Sequence, residues 1–230
     1  MKIIWLGHAS FRIEIEDQVL LVDPWLVGNP TFPEEQREEA IQGATAILLS
    51  HGHGDHASNA QGIARELGIP IACINELAKL LKASDVATIG FGKGGTIPLG
   101  AARISMVNAV HSSSIDFMEE PLRYAGVEAG FMIRGEGHTV YFSGDTDIMA
   151  DMGWMGEYYA PDIGILCAGG HFTMDMDAAA WAAKRFFDFK LVIPCHFGTF
   201  PFLAQTADAL VAGLPDVDVR VPQVLEAIEV

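Results

Sequence analysis

The stretch ILLSHGHGDHAS, Ile47 to Ser58, sets His51, His53, Asp55 and His56 within six positions, directly after an apolar run of strand length. On a helix, residues two apart project to nearly opposite sides, so His51, His53 and Asp55 can face one point only from a loop that leaves a strand. Gly52 and Gly54 between them are expected to supply the positive φ angles of a tightly curled loop, and His56 then opens a helix. Four ligand-type side chains from so short a stretch crowd a single tetrahedral ion. They suit two ions about 3.5 to 4 Å apart, completed by ligands from distant strands. The distant candidates are His111, Asp145 and His196.

Outward from this motif, apolar or alternating runs of strand length recur as KIIWL, VLLV, AILL, RISMV, TVYF, IGILC and LVIP, each closed by a Gly/Pro or polar cluster. A metal-type side chain comes after each run: His8, Asp23, His51, His111, Asp145, His171 and His196. If the strands share an orientation, these ends converge on one crevice, the place where ligands gather in open α/β sheets. Helices are expected over 57–67 with Gly68 as the stop, from Asn75 as cap to about Ala83, from Asp175 to near Phe187, and from Pro201 to Gly213. Strands mixed with such helices indicate a layered α/β or α+β protein with helices outside the sheets. Hairpin-like pairs at 2–15 and 127–143 argue against a purely parallel sheet. With 230 residues and no linker, repeat or low-complexity segment, the chain is expected to form a single domain, 1–230.

Fourteen basic against thirty acidic residues leave a net charge of −16, which repels phosphate backbones and anionic lipid surfaces and makes nucleic acid an unsuitable partner. No run of apolar residues has the length of a membrane span. The opening MKIIWLGHAS lacks the pattern of a secretory signal, and Cys73, Cys167 and Cys195 are too scattered for a disulfide framework or a metal knuckle. The expectation is a soluble cytoplasmic protein whose cysteines are small buried hydrophobes. A small-molecule substrate is the expected partner, because bound dications would override the global charge locally.

These residues resemble the metallo-β-lactamase superfamily. Its motif HxHxDH stands here as His51, Gly52, His53, Gly54, Asp55 and His56, followed in order by His111 in NAVHSSS, Asp145 in YFSGDTD and His196 in VIPCHFGTFP. The phrases WLGHASF, LLVDPWL, GDT and GGHFTM, spread over nearly the whole chain, resemble the branch of small metal-dependent hydrolases similar to the L-ascorbate-phosphate lactonases. The resemblance implies an α+β fold, an αββα sandwich of two mixed sheets with helices on the outer faces and the site at the sandwich edge. It also implies a first metal on His51, His53 and His111, a second on Asp55, His56 and His196, and Asp145 bridging both together with a water or hydroxide. A homo-oligomer would be in keeping with the same relatives.

Two divalent ions held by imidazole and carboxylate would be Zn²⁺, with Mn²⁺, Ni²⁺ or Fe²⁺ as further options. Such a pair lowers the pKa of a shared water toward about 7 and polarises the bond under attack, so a small ester, lactone or phosphodiester is the expected substrate. Asp55 can orient the nucleophile, and His171 or His8 are the candidates for protonating the leaving group. Asp23 is expected to orient a ligand imidazole rather than to bind metal. Ser112, Arg123 and His171 are candidate substrate contacts; the first two bracket a long connection, Ser112 to Val127, that could form a lid, with Arg123 its one cation. His138 is expected at the exposed surface without a role. GFGKGG, 90–95, matches a dinucleotide fingerprint only formally, since β-branched residues follow where a helix should open. The competing reading is a mononuclear-iron oxidoreductase, similar to the sulfur dioxygenases on this fold.

Overall fold

The computed structural model describes residues 1–83, 85–117 and 122–230. Six strands come first in the chain: β1 (Lys2–Trp5), β2 (Phe11–Ile15), β3 (Gln18–Val22), β4 (Ala46–Leu48), β5 (Ile71–Ile74) and β6 (Thr88–Phe91). They form one sheet in that order, with the last strand of the chain, Ala227–Glu229, added beside β1. In β2 the residues alternate between buried and half-buried, so Phe11, Ile13 and Ile15 enter the core while Arg12 and Glu14 face outward and pair at 2.8 Å. By contrast β4 and β5 are buried on both faces, as expected for strands covered by helices.

The second sheet contains β7 (Thr96–Leu99) and β8 (Ala102–Val107), then, after a short ribbon of β9 (Ser114–Ile115) and β10 (Arg123–Tyr124), β11 (Gly130–Gly135), β12 (His138–Phe142), β13 (Ile163–Cys167), β14 (Leu191–Cys195) and β15 (Asp218–Val219). Its order is β15-β14-β13-β12-β11-β8-β7. The inner faces of the two sheets share one hydrophobic core, where Phe11 of the first meets Phe142 of the second with ring centres 6.1 Å apart. This is the α+β arrangement of two mixed sheets.

Strand direction decides where the functional side chains go. Since β1 and β3 are each antiparallel to β2, they run the same way, and β4 lies parallel to β3. In the second sheet β8 and β12 are each antiparallel to β11, and β12, β13 and β14 are mutually parallel. All seven strands that precede a metal-type residue therefore share a direction within their sheets. Backbone bonds join the sheets at this end, from the N–H of His196 to the carbonyl of His8 at 3.0 Å and from the N–H of Ala129 to that of Ser50 at 3.0 Å.

Helices cover the outer faces. After α1 (Arg37–Ile41), the motif helix α2 (Gly54–Ala57) begins three residues before the expected 57. It is separated from α3 (Ala60–Leu67) by Ser58 and Asn59, because the Asn59 side chain accepts from the N–H groups of Leu26 and Val27 at 2.7 and 2.6 Å. The left-handed Gly68 closes α3 as expected. Asn75 is the first residue of α4 (Asn75–Lys82) rather than its cap, and its side chain makes no capping bond. Following α5 (Asp151–Tyr159), Asp175 does cap α6 (Met176–Phe186), accepting from the N–H of Ala178 at 2.8 Å. The last helix, α7 (Asp208–Gly213), is much shorter than 201–213, since residues 197–207 form a loop that packs on the site. No helix among the described residues is long and apolar enough to cross a membrane. GFGKGG joins β6 to β7, carrying the chain from one sheet to the other.

Cys73, Cys167 and Cys195 are free and buried. His138 is half-buried rather than exposed: its Nδ1 lies 2.7 Å from Asp162, which also accepts from the N–H of Thr139 and so ties β12 to the turn before β13.

Two glycines give opposite expectations. Gly62 lies inside α3 with open space where a Cβ would go, so Gly62→Ala should stabilise the protein by about 0.5–1 kcal/mol. A Cβ on Gly169, after β13, would overlap the carbonyl oxygen of His196, so Gly169→Ala should lower the melting temperature. Thermal denaturation of both variants checks the pair.

Candidate metal centre

Several backbone positions that carry the site are left-handed. His8, Asp23 and His196 have φ angles of 51°, 46° and 62°, and Gly144, before Asp145, has 60°. A left-handed non-glycine residue costs roughly 1–2 kcal/mol, so the strand ends hold these turns against strain. Gly52 and Gly54 are not left-handed, contrary to the expectation for the motif. They are glycines for want of room: a Cβ on Gly52 would lie 2.9 Å from the Ala125 Cβ and 3.0 Å from the Ser114 carbonyl oxygen. On Gly54 it would lie 3.1 Å from Asp116 Oδ1 and 3.3 Å from the Phe117 Cβ. The β9–β10 segment thus packs directly on the motif loop.

Around Asp145 the imidazoles gather. Its Oδ2 lies 3.0 Å from His196 Nε2, 3.3 Å from His56 Nε2 and 3.7 Å from His111 Nε2. His51 Nε2 and His53 Nδ1 face each other at 3.0 Å, and together with His111 they offer ligand atoms within 4.8 Å of one another. On the other side of Asp145, Asp55, His56, His196 and His8 form a second such group. All seven side chains expected as ligands are thus brought together.

Protons can be assigned from what a carboxylate does, which is only to accept. Asp23 Oδ1 accepts from the N–H of Ser50 at 2.7 Å, and its Oδ2 accepts from Ser50 Oγ at 2.5 Å and from His56 Nδ1 at 2.8 Å. His56 therefore carries a proton on Nδ1, and Nε2 is the nitrogen turned toward Asp145. Ser50 Oγ, having donated to Asp23, accepts from His51 Nδ1 at 2.9 Å, which frees His51 Nε2. One buried carboxylate fixes the tautomers of two imidazoles, as expected for a group orienting metal ligands.

His8 is different. Its Nε2 donates to Asp55 Oδ2 at 3.1 Å, so its Nδ1 accepts from the Thr199 hydroxyl at 2.7 Å. Burial and the neighbouring His196 push its pKa down to about 4, keeping it neutral. With both nitrogens engaged, His8 holds Asp55 in place and has no lone pair left for an ion.

The unsatisfied atoms fit a cation. Among the described residues, His56 Nε2 and Asp145 Oδ1 are buried without a hydrogen-bond partner, and orphaned polar atoms of this kind are costly. Burial opposes charge on His56, yet Asp145 and Asp55 outweigh it and hold its pKa well above the usual value, so without an ion Nε2 also carries a proton, and a divalent ion would take that proton's place. Burial and the His56 charge push His51 well below its usual value. Imidazole and carboxylate groups without thiolate form a donor set that takes a catalytic rather than a structural divalent ion.

Beside the cluster lies a crevice of about 600 Å³. Ser112 lines it, whereas Arg123 is exposed on β10 and His171 is exposed with its ring against Phe172 and Phe202; neither is among the lining residues. Residues 118–121 of the expected lid lie outside the described residues. Sequence reasoning passed over Ser50 and Thr199, hydrogen-bonding neighbours that no spacing rule marks. It also passed over the aromatic residues Trp25, Phe200 and Phe202 in the crevice wall, although FGTFPF, 197–202, comes directly after His196.

Comparison with known proteins agrees with this geometry. A family model described as a beta-lactamase superfamily domain matches residues 18–197. A UPF0173 metal-dependent hydrolase of Paracoccus denitrificans is 63% identical over 229 residues, covering 99% of each chain. One from Cereibacter sphaeroides is 64% identical over 231 residues, covering 100% of each. Among solved structures, a metallo hydrolase from the hyperthermophilic archaeon Ignicoccus hospitalis superposes with a TM-score of 0.87 at 29% identity, covering 99% of this chain and 97% of that one.

Replacing Asp23 by asparagine puts an NH₂ or a weaker acceptor where three donors converge. Asp23→Asn should weaken divalent-metal affinity by about 10–100-fold, measured by competitive metal titration.

Proposed function

The chain belongs to the beta-lactamase superfamily, and we propose that it is a hydrolase with a two-ion centre acting on a small ester, lactone or phosphodiester. The observation that carries this reading is the single oxygen Asp145 Oδ2 within 3.7 Å of three imidazole nitrogens, with lone-pair groups on either side of it. His51, His53 and His111 would hold one ion and Asp55, His56 and His196 the other, with Asp145 shared. The donor set suits Zn²⁺, and Mn²⁺, Ni²⁺ and Fe²⁺ are compatible with it. When bound, the ions would acidify water and polarise the carbonyl or phosphoryl oxygen of the substrate.

The protein's own groups do the rest. Asp55 is half-buried and lines the crevice, so its carboxylate is positioned to take a proton from the attacking water and return it to the leaving group. His8, through its bond to Asp55 Oδ2, keeps that carboxylate turned inward, and Thr199 keeps His8 in the required tautomer. Ser112, also in the crevice lining, would offer a hydroxyl to the substrate. In this reading His171 buttresses the crevice wall, meeting Phe172 edge-on and Phe202 at a tilt, rather than moving a proton.

Elemental analysis should give about two divalent ions per chain, and a screen of esters, lactones and phosphodiesters should find turnover that a chelator abolishes and added metal restores. About one iron per chain with thiol-dependent oxygen uptake would instead establish the oxidoreductase reading.

A further inference from the structure

The crevice wall has a chemistry that the ion centre does not account for. Trp25 and Phe200 stack with ring centres 5.8 Å apart and planes 15° from parallel, and Phe200 and Phe202 continue the stack at 5.5 Å and 4°. Phe172 meets Phe202 edge-on at 5.7 Å. The inner end of this ladder abuts His8, whose ring centre lies 5.3 Å from that of Trp25 and 4.0 Å from that of His196. Phe117, carried by the segment packed on Gly54, also lines the crevice. A row of parallel aromatic faces therefore leads from the imidazole cluster to the opening.

Charge makes the wall selective. Among the described residues lining the crevice there is no lysine or arginine, and the charged side chains besides histidine are Asp55, Asp116 and Asp145. An anionic group on the far end of a substrate would meet carboxylates and apolar aromatic surface, with no lysine or arginine among the described lining residues to pair with as it left water.

We infer that the site takes a substrate whose non-reacting part is a flat, uncharged aryl or similarly apolar group, and that it discriminates against substrates whose non-reacting part carries a phosphate or carboxylate. This rests on the reading that the imidazole and carboxylate cluster is the reacting centre. The aryl group lies along the Trp25–Phe200–Phe202 ladder, and its uncharged character is enforced by the absence of a partner cation.

The test is calorimetric titration of the metal-loaded protein with phenylacetate, acetate and 3-phosphoglycerate, three carboxylates that differ in the group attached to the carboxyl carbon. Phenylacetate should bind at least about tenfold more tightly than either of the others, and Phe202→Ala should shrink that margin by about threefold or more. Phe202 is 52% exposed, so the variant loses its ring without opening the core. Equal or tighter binding of 3-phosphoglycerate, no measurable binding of phenylacetate, or a margin unaffected by Phe202→Ala would overturn the inference. Hydrolysis is read separately. Turnover of esters without this preference sinks the aryl site alone; the preference without turnover of any ester sinks the hydrolase reading and leaves the aryl site standing.

Discussion

Buried imidazole nitrogens and carboxylate oxygens turned on one another, so that positive charge is needed between them, are the constraint on which the rest of this structure depends. His56 Nε2 points at Asp145 Oδ2 across 3.3 Å, and His56 donates its Nδ1–H to Asp23 on the other side of the ring. His51 is prepared in the same way through Ser50. Without a cation such an arrangement loses hydration and gains little in exchange. With divalent ions between the groups, each lone pair has a partner, and the protein has already met the cost of orienting them.

The sandwich supplies the rigidity that this requires. Parallel strands end together, the two sheets are joined there by backbone bonds between His196 and His8 and between Ala129 and Ser50, and the turns beyond the strand ends are held left-handed at His8, Asp23 and His196. Strain at several neighbouring positions persists only where surrounding packing overdetermines it. The core does so here, since His8, Asp23, His51, His56 and His196 are all buried. Asp55 is the exception, half-buried and part of the crevice lining, which gives it the access that the proposed proton transfer would need.

Much of this could be read from residue order. Strand-length apolar runs each followed by His or Asp made legible the convergence of His8, Asp23, His51, His111, Asp145 and His196, though not the outlying His171, because strands that run the same way deliver their trailing residues to one edge. The helix from Asp175 was legible from its cap, whereas the expected start at Pro201 was not: the helix begins only at Asp208, and residues 197–207 form a loop in which Phe200 and Phe202 line the crevice while Phe197 stacks on Trp5. The glycines of the motif were recognised as required but for the wrong reason. Their need comes from the β9–β10 segment pressing on them, a contact between distant parts of the chain that local sequence does not encode. Thr199 and Ser50 were missed for a similar reason, since a hydroxyl acquires meaning only from the imidazole beside it. Arg123 and His171 looked suitable by type and order, yet β10 and the turn after β13 carry them away from the crevice lining.

The central proposal is that Asp145 would serve two ions at once, between the two groups of imidazole and carboxylate ligands. Anomalous diffraction from crystals of the metal-loaded protein, collected at the absorption edge of the bound metal, tests it most directly. The account requires two peaks, one against His51, His53 and His111 and one against Asp55, His56 and His196, with Asp145 between them. A lone peak on a single triad, or metal bound elsewhere while this cluster stays without a peak, would contradict it.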